Sequence, residues 1–159
     1  MDRANVERSG RDPAAVAREL LDANRYMTLA TADGDGRPWA APVWYAHENY
    51  THLFWVSRPE ARHSRNLAVR PEVGIVVFDS TVPEGSGQAV YMEALASELD
   101  GAERDAGIAI ISRRSEARGA GRFSVADVTG PAALRLYRAR ASAHSVLGEK
   151  DQRLAVRLD

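Results

Sequence analysis

From Leu53 the chain reads Leu-Phe-Trp-Val-Ser-Arg-Pro-Glu-Ala-Arg-His-Ser-Arg-Asn-Leu-Ala-Val-Arg-Pro, an apolar strand that breaks into a short helical segment studded with Arg58, Arg62, His63, Arg65 and Arg70. These residue types at a strand-to-helix junction suit an anion, and a phosphate in particular. Unused N–H groups and the positive end of the dipole meet a ligand at a helix start, and a guanidinium grips it through two parallel hydrogen bonds. A solvated basic face on a surface helix would use the same residues. The choice between the two depends on what the rest of the chain builds around the segment.

Other routes to chemistry are poorly represented. No Gly-x-Gly-x-x-Gly follows a strand and no Gly-Lys-Ser/Thr occurs, which closes the Rossmann and P-loop routes to nucleotides. The histidines, His47, His52, His63 and His144, are never spaced i, i+4 on a helix, so no metal site is expected. Ser57 and Ser64 lie near His63, but no Gly-x-Ser-x-Gly elbow or orienting acid accompanies them, and a serine hydrolase is not expected.

With 159 residues, 45% hydrophobic and 27% charged, the chain has the size and composition of one globular domain. A formal net charge of −1 argues against a general nucleic-acid surface, so the basic segment is a local feature. The absence of cysteine removes disulfides, thiolate zinc sites and a cysteine nucleophile, and suits a reducing compartment. No apolar run approaches the ~20 residues that span a bilayer, and the polar start lacks a signal peptide's hydrophobic region. The expectation is a cytoplasmic protein without nucleic-acid or membrane partners.

The elements that must position the basic segment follow from pattern. Residues 1–11 are expected to be a flexible terminus, and residues 12–159 one domain. Asp12-Pro13 supplies an N-cap and a proline at the first helical position, predicting a helix to about Asn24 with Val16, Leu20 and Leu21 on one face. Tyr26 to Thr31 and Trp39 to Ala46 flank the turn Asp33-Gly34-Asp35-Gly36-Arg37-Pro38 and read as a hairpin. A strand from Thr51 to Ser57 feeds the basic helix, which Pro71 ends. Val73 to Phe78 is apolar on both faces and reads as a buried central strand. After a loop from Ser80 to Gly87 come an extended run, Gln88 to Leu99, a helix from Ala102 to Ala117 burying Ile108, Ile110 and Ile111, and strands near Ala133–Ala143 and Arg153–Leu158. Six or seven hairpin-connected strands with two or three helices predict a mainly β (α+β) antiparallel barrel with covering helices.

Asp35-Gly36-Arg37-Pro38, the strand through Val43-Trp44-Tyr45, and Leu53 to Ser57 leading into Glu60-Ala61-Arg62-His63 and Leu67 together resemble the pyridoxamine 5′-phosphate oxidase-like split-barrel flavoproteins. The resemblance runs from about Ala17 to Leu158. It implies a homodimer that binds FMN at its interface, with a deazaflavin coenzyme or haem as the cofactor of relatives. The family's paired Arg and Lys that hold the flavin phosphate correspond to Arg62 and His63, and Arg58 or Arg65 would share the load that the lysine carried. The family's aromatic-Thr pair corresponds to Val56-Ser57, where the serine could equally cap the helix. Val43, Trp44 and Tyr45 would line the flavin ring, or serve simply as core and interface. The strand's charged family positions are Ala41 and Ala46 here. Gln88 falls within one position of a glutamine that reaches the flavin from the partner, and is otherwise a solvated strand-entry residue.

The C-terminal stretch bears on substrate. By resemblance, Arg157 is a flavin contact and Arg153 a substrate contact, while Leu147 and Ala155 stand where the family has Trp and His. Solvent-facing arginines on an edge strand are the alternative. Losing half of a polar substrate contact argues for a divergent member over a true pyridoxamine phosphate oxidase. The implied function is an FMN-dependent oxidoreductase acting on a small organic substrate, with NADH or NADPH as candidate electron donor. The alternatives are a deazaflavin-dependent reductase, or a non-catalytic flavin or haem binder with His47 or His144 as iron ligand.

Overall fold

The computed structural model describes residues 10–158; the expected flexible terminus lies almost wholly outside them. The elements, in order, are α1 (Pro13–Ala23), β1 (Tyr26–Ala32), β2 (Pro38–Trp44), β3 (Ala46–Glu48), β4 (His52–Ser57), α2 (Arg62–Val69), β5 (Glu72–Phe78), β6 (Ala89–Glu98), α3 (Gly101–Ala117), a short 3-10 turn (Val125–Val128), β7 (Arg135–Leu147), a second such turn (Glu149–Asp151) and β8 (Arg153–Val156). All strand pairings are antiparallel. The sheet order is β2-β1-β5-β6-β7-β4-β3, with β8 on β7.

That order has a geometric consequence. β2 and β3 stand at opposite ends of it, yet only Tyr45 separates them in the chain. The sheet must therefore curl until its two ends meet, which makes it a split barrel with three covering helices. The expected strand from Trp39 to Ala46 is broken at this residue, so eight strands form where six or seven were expected.

Period-two alternation sorts the core. On β4, Leu53 and Trp55 enter the barrel interior with Met27, Leu29, Ile75, Val77 and Tyr137. Phe54 points the other way, into a second cluster with Leu136, Ile108 and Ile111, and Val56 packs beside it. β4 is thus covered on both sides, by the barrel and by α3. At the α3 contact Gly107 is buried, and a Cβ there would lie 2.8 Å from Leu136 Cδ2 and 3.1 Å from the Phe54 ring. Gly107→Val is expected to lower stability by about 1–3 kcal/mol through overpacking, read by urea unfolding; unchanged stability would mean that α3 can lift without cost.

The hairpin forms as expected. Asp33 Oδ1 accepts from the N–H groups of Asp35 and Arg37 at 3.0 and 2.9 Å, and Gly36 takes the positive φ of 84° that the turn needs. α1 begins on the Asp12 cap, which accepts from the Ala14 N–H.

β5 corrects an expectation. Its burial alternates: Val73, Ile75 and Val77 are inside, whereas Gly74 and Phe78 are exposed. The strand reads as apolar on both faces because its outer residues belong to a broader apolar surface. In register, Thr28 lies between Pro42 and Val76, and Ala30 between Ala40 and Gly74. Tyr26 and Phe78 are 59% and 49% exposed. The last two strands also shift: β7 starts later and runs four residues past Ala143, and β8 ends at Val156. Among the described residues no helix is long and apolar enough to cross a membrane, and no three His, Asp or Glu residues cluster as metal ligands.

Candidate functional site

Ser57 is the last residue of β4 and shares the barrel-facing side with Leu53 and Trp55. Arg58 to Ala61 make the turn, closed by an Ala61 N–H to Arg58 carbonyl bond of 3.1 Å. α2 then packs against β1, β2 and β6. Its buried side is Ser64, Asn66 and Leu67; Arg62 and Arg65 remain exposed. Asn66 Nδ2 donates to Thr31 Oγ1 at 2.9 Å, and Arg70 donates to the Gly34 carbonyl at 3.2 Å, so the helix is tied to both β1 and the hairpin turn.

This placement brings Ser57 Oγ within 2.7 Å of His63 Nε2, both side chains half-buried. Burial holds the His63 pKa below its ordinary value, so the imidazole is neutral near pH 7. Ser57 is not the helix cap: α2 starts at Arg62, the N-cap is Ala61, and no side chain caps the first turn. The neighbouring Arg62 guanidinium lies 4.5 Å over the centre of the Trp39 ring, itself 40% exposed. Asp33 lies near enough for Arg62 to help lower its pKa, though the main cause is the bond from the Arg37 N–H. Trp39 and Asp33 are neighbours of the site that residue spacing did not single out; the available signal was an aromatic residue leaving the hairpin turn opposite Thr31.

The other expected site residues fall elsewhere. Tyr45 is fully buried; its N–H goes to the Arg25 carbonyl at 3.3 Å and its hydroxyl to the Leu21 carbonyl at 2.7 Å. Val43 is interior core. Trp44 stacks on Phe123 at 6.5 Å and, with Val56, packs under α3. Arg58 is exposed beside Ser57. Ser57 pairs with Arg135 at the start of β7, whereas Arg153 pairs with Leu147 at its end. Gln88 precedes β6 near that far end, since Val90 pairs with Val146. Arg153 lies 4.1 Å over the Tyr91 ring, and Arg157 is exposed just after β8. Within the chain Ser57, Arg58, Arg62 and His63 are therefore gathered at the end of β4 and the head of α2, and Gln88, Arg153 and Arg157 lie apart from them.

The two histidines considered as iron ligands have other partners. His47 Nε2 lies 2.9 Å from Asp22 Oδ1, and its ring stacks on Tyr50 at 4.7 Å. His144 Nε2 lies 2.9 Å from the Tyr50 carbonyl.

A family model described as pyridoxamine 5′-phosphate oxidase matches residues 14–145. The chain belongs to this family. No curated protein matches it in sequence. Solved structures with the same fold include a heme-binding protein from Mycobacterium smegmatis, at TM-score 0.68 and 21% identity over 93% of this chain and 59% of that one. A FAD-binding protein from Mesorhizobium loti reaches 0.61 at 22% identity, over 84% of this chain and 92% of the other. An F420 reductase reaches 0.57 at 22% identity, over 80% and 94%. The chain spans little more than half the Mycobacterium smegmatis protein. Structures of this fold thus include a heme-binding protein, a FAD-binding protein and an F420 reductase.

Proposed function

We propose that the protein is a homodimeric flavin oxidoreductase that holds FMN by its phosphate at the head of α2 and acts on a small organic substrate, with NADH or NADPH as electron donor. The observation that carries this reading is the 2.7 Å pairing of the Ser57 hydroxyl with His63 Nε2 at an uncapped helix start whose first residue, Arg62, holds its guanidinium exposed over the Trp39 ring. The donor set fits a phosphate: a guanidinium fork, a hydroxyl, an imidazole and N–H groups of a first helical turn. A bound flavin supplies hydride and electron transfer at its ring. The protein's own part is to anchor the phosphate, orient the ring and keep water from it.

The apolar outer face of β1, β2 and β5 supports the dimer. Large exposed apolar surface on a sheet marks an interface, and a two-fold partner covers the same face of both copies. Gln88, Arg153 and Arg157, which lie apart from the head of α2 within one chain, are in this reading contributed to the site by the partner. A deazaflavin coenzyme ends in a phosphate-bearing tail suited to the same grip and is the second reading. Haem is disfavoured by the engagement of His47 and His144 with Asp22 and Tyr50.

Purified protein incubated with FMN is expected to absorb near about 450 nm and to gain thermal stability in proportion to ligand excess. Arg62→Ala is expected to weaken FMN binding by ~1.5 kcal/mol, roughly tenfold in Kd, as for a charge-assisted contact. Unchanged affinity would put the phosphate elsewhere; a shift with the deazaflavin coenzyme alone would select the second reading. Anaerobic bleaching by NADH or NADPH then separates an enzyme from a carrier.

A further inference from the structure

The Ser57–His63 pair bears on more than the identity of the cofactor, provided that the head of α2 is the phosphate site of the proposed function. In the free protein Ser57 Oγ and His63 Nε2 satisfy each other at 2.7 Å. A phosphate entering between Arg62 and Ser57 needs donors, and a serine hydroxyl has one proton to give. If that proton turns to the phosphate, Nε2 faces an anion with its lone pair unless the ring carries a proton there. The neutral ring can supply that proton only as its Nε2–H tautomer and without charge, whereas the imidazolium donates from both nitrogens and sets a positive charge beside the anion, which favours it. We propose that phosphate binding at the head of α2 is proton-linked, with one proton taken from solvent by the His63 ring as the anion binds.

The charged groups on the elements about α2 permit this. Arg58 and Glu60 lie in the turn, Arg62 and Arg65 on the helix, Asp33 and Arg37 in the hairpin turn, Glu93 and Glu98 on β6, and Arg135 opposite Ser57 on β7. Glu98 is shared by Arg135 at 3.7 Å and the Tyr137 hydroxyl at 3.5 Å, and Asp33 by its own turn. Burial is the sole cause of the His63 shift, and it acts downward. No carboxylate is therefore pre-charging the ring, and the ligand itself must supply the negative partner.

Linkage between the two equilibria fixes the sign. The free ring titrates below its ordinary value of about 6.5, and a phosphate dianion beside Nε2 raises it. Affinity is then highest below the free pKa, falls by up to about tenfold per pH unit as pH rises between the free and bound values, and levels off above the bound one. A lysine in place of His63 would stay charged throughout this window and show no such dependence.

The test is calorimetric titration of the full-length protein with FMN at pH 7 and pH 8 in buffers of different ionisation enthalpy. At pH 8 the ligand phosphate, with a second pKa of about 6, is already a dianion, so proton uptake there belongs to the protein. Net uptake that disappears in both His63→Lys and His63→Gln supports the proposal. Absent uptake, or uptake unchanged in the two variants, overturns it and indicates that neutral His63 donates to Ser57, which relays its own proton to the ligand. Inorganic phosphate at pH 8, followed by the NMR shift of the His63 Cε1 proton, separates this inference from the flavin reading. Phosphate-induced protonation without FMN binding would sink the cofactor assignment alone, while an unmoved ring would sink the proton step.

Discussion

Trp55→Ala is expected to cost about 3–5 kcal/mol, the range for removing a large aromatic side chain from a packed core. Trp55 is fully buried on the barrel side of β4 and stacks on Tyr137 with ring centres 5.7 Å apart. For a domain whose total stability is on the order of 5–15 kcal/mol, that loss threatens folding at physiological temperature. The conservative variant is more telling. The indole Nε1 is buried without a hydrogen-bond partner, and an orphaned donor of this kind costs about 1–3 kcal/mol. Trp55→Phe removes the orphan along with part of the ring, so the two effects oppose one another and the net loss should be only about 1–2 kcal/mol. Equal destabilisation of the two variants in urea unfolding would show that Nε1 is satisfied in solution, by a buried water for example.

The second large effect is expected at Arg114. Its Nη2 donates to the carbonyls of Leu21, Asp22 and Asn24 at 2.9, 3.3 and 3.2 Å, and its guanidinium lies 5.2 Å over the Tyr45 ring. Those carbonyls end α1, where helical partners run out and the dipole is negative. One side chain from α3 thereby fastens the first helix to the barrel. Arg118 also binds the Asp22 and Ala23 carbonyls and reaches that of Asn24 only at 3.5 Å, and the Tyr45 hydroxyl also reaches Leu21, so Arg114→Ala leaves Asn24 with a single long contact. The expected loss is about 2 kcal/mol, as for a partly buried charged hydrogen bond, and a fall in melting temperature of roughly 4–8 °C. Arg114→Lys keeps the charge without the fork, and should recover only part of the loss. Full recovery by lysine would mean that the dipole, and not the geometry, is what matters.

What the residues disclose on their own and what they hide have physical reasons. The hairpin is legible because Asp33 and Gly36 are local turn chemistry, acting within a few residues. α1 is legible for the same reason, through Asp12 and Pro13. The surroundings of Arg62 are not. Its contact with Trp39 joins a helix to a hairpin that lies more than twenty residues earlier in the chain, and no periodicity encodes that. Ser57 reads as a cap or a phosphate donor because both need a hydroxyl at a strand end; only the start of α2 at Arg62 removes the first role. β5 misleads because alternation shows which residues are apolar and says nothing of whether the outer ones meet water or another copy. The break at Tyr45 is hidden too, since Trp44, Tyr45 and Ala46 all suit a strand, and it is the curl of the sheet that divides them.

The proline content of β2 has a consequence for self-association. β2 stands at one end of the hydrogen-bonding order, and both Pro38 and Pro42 lie within it. Neither carries an N–H, so an incoming strand would find gaps in the ladder, and proline is tolerated here because the strand is an edge. A second copy docking by strand addition along β2 would meet an interrupted template. Runaway edge-to-edge polymerisation is thereby hindered on this side.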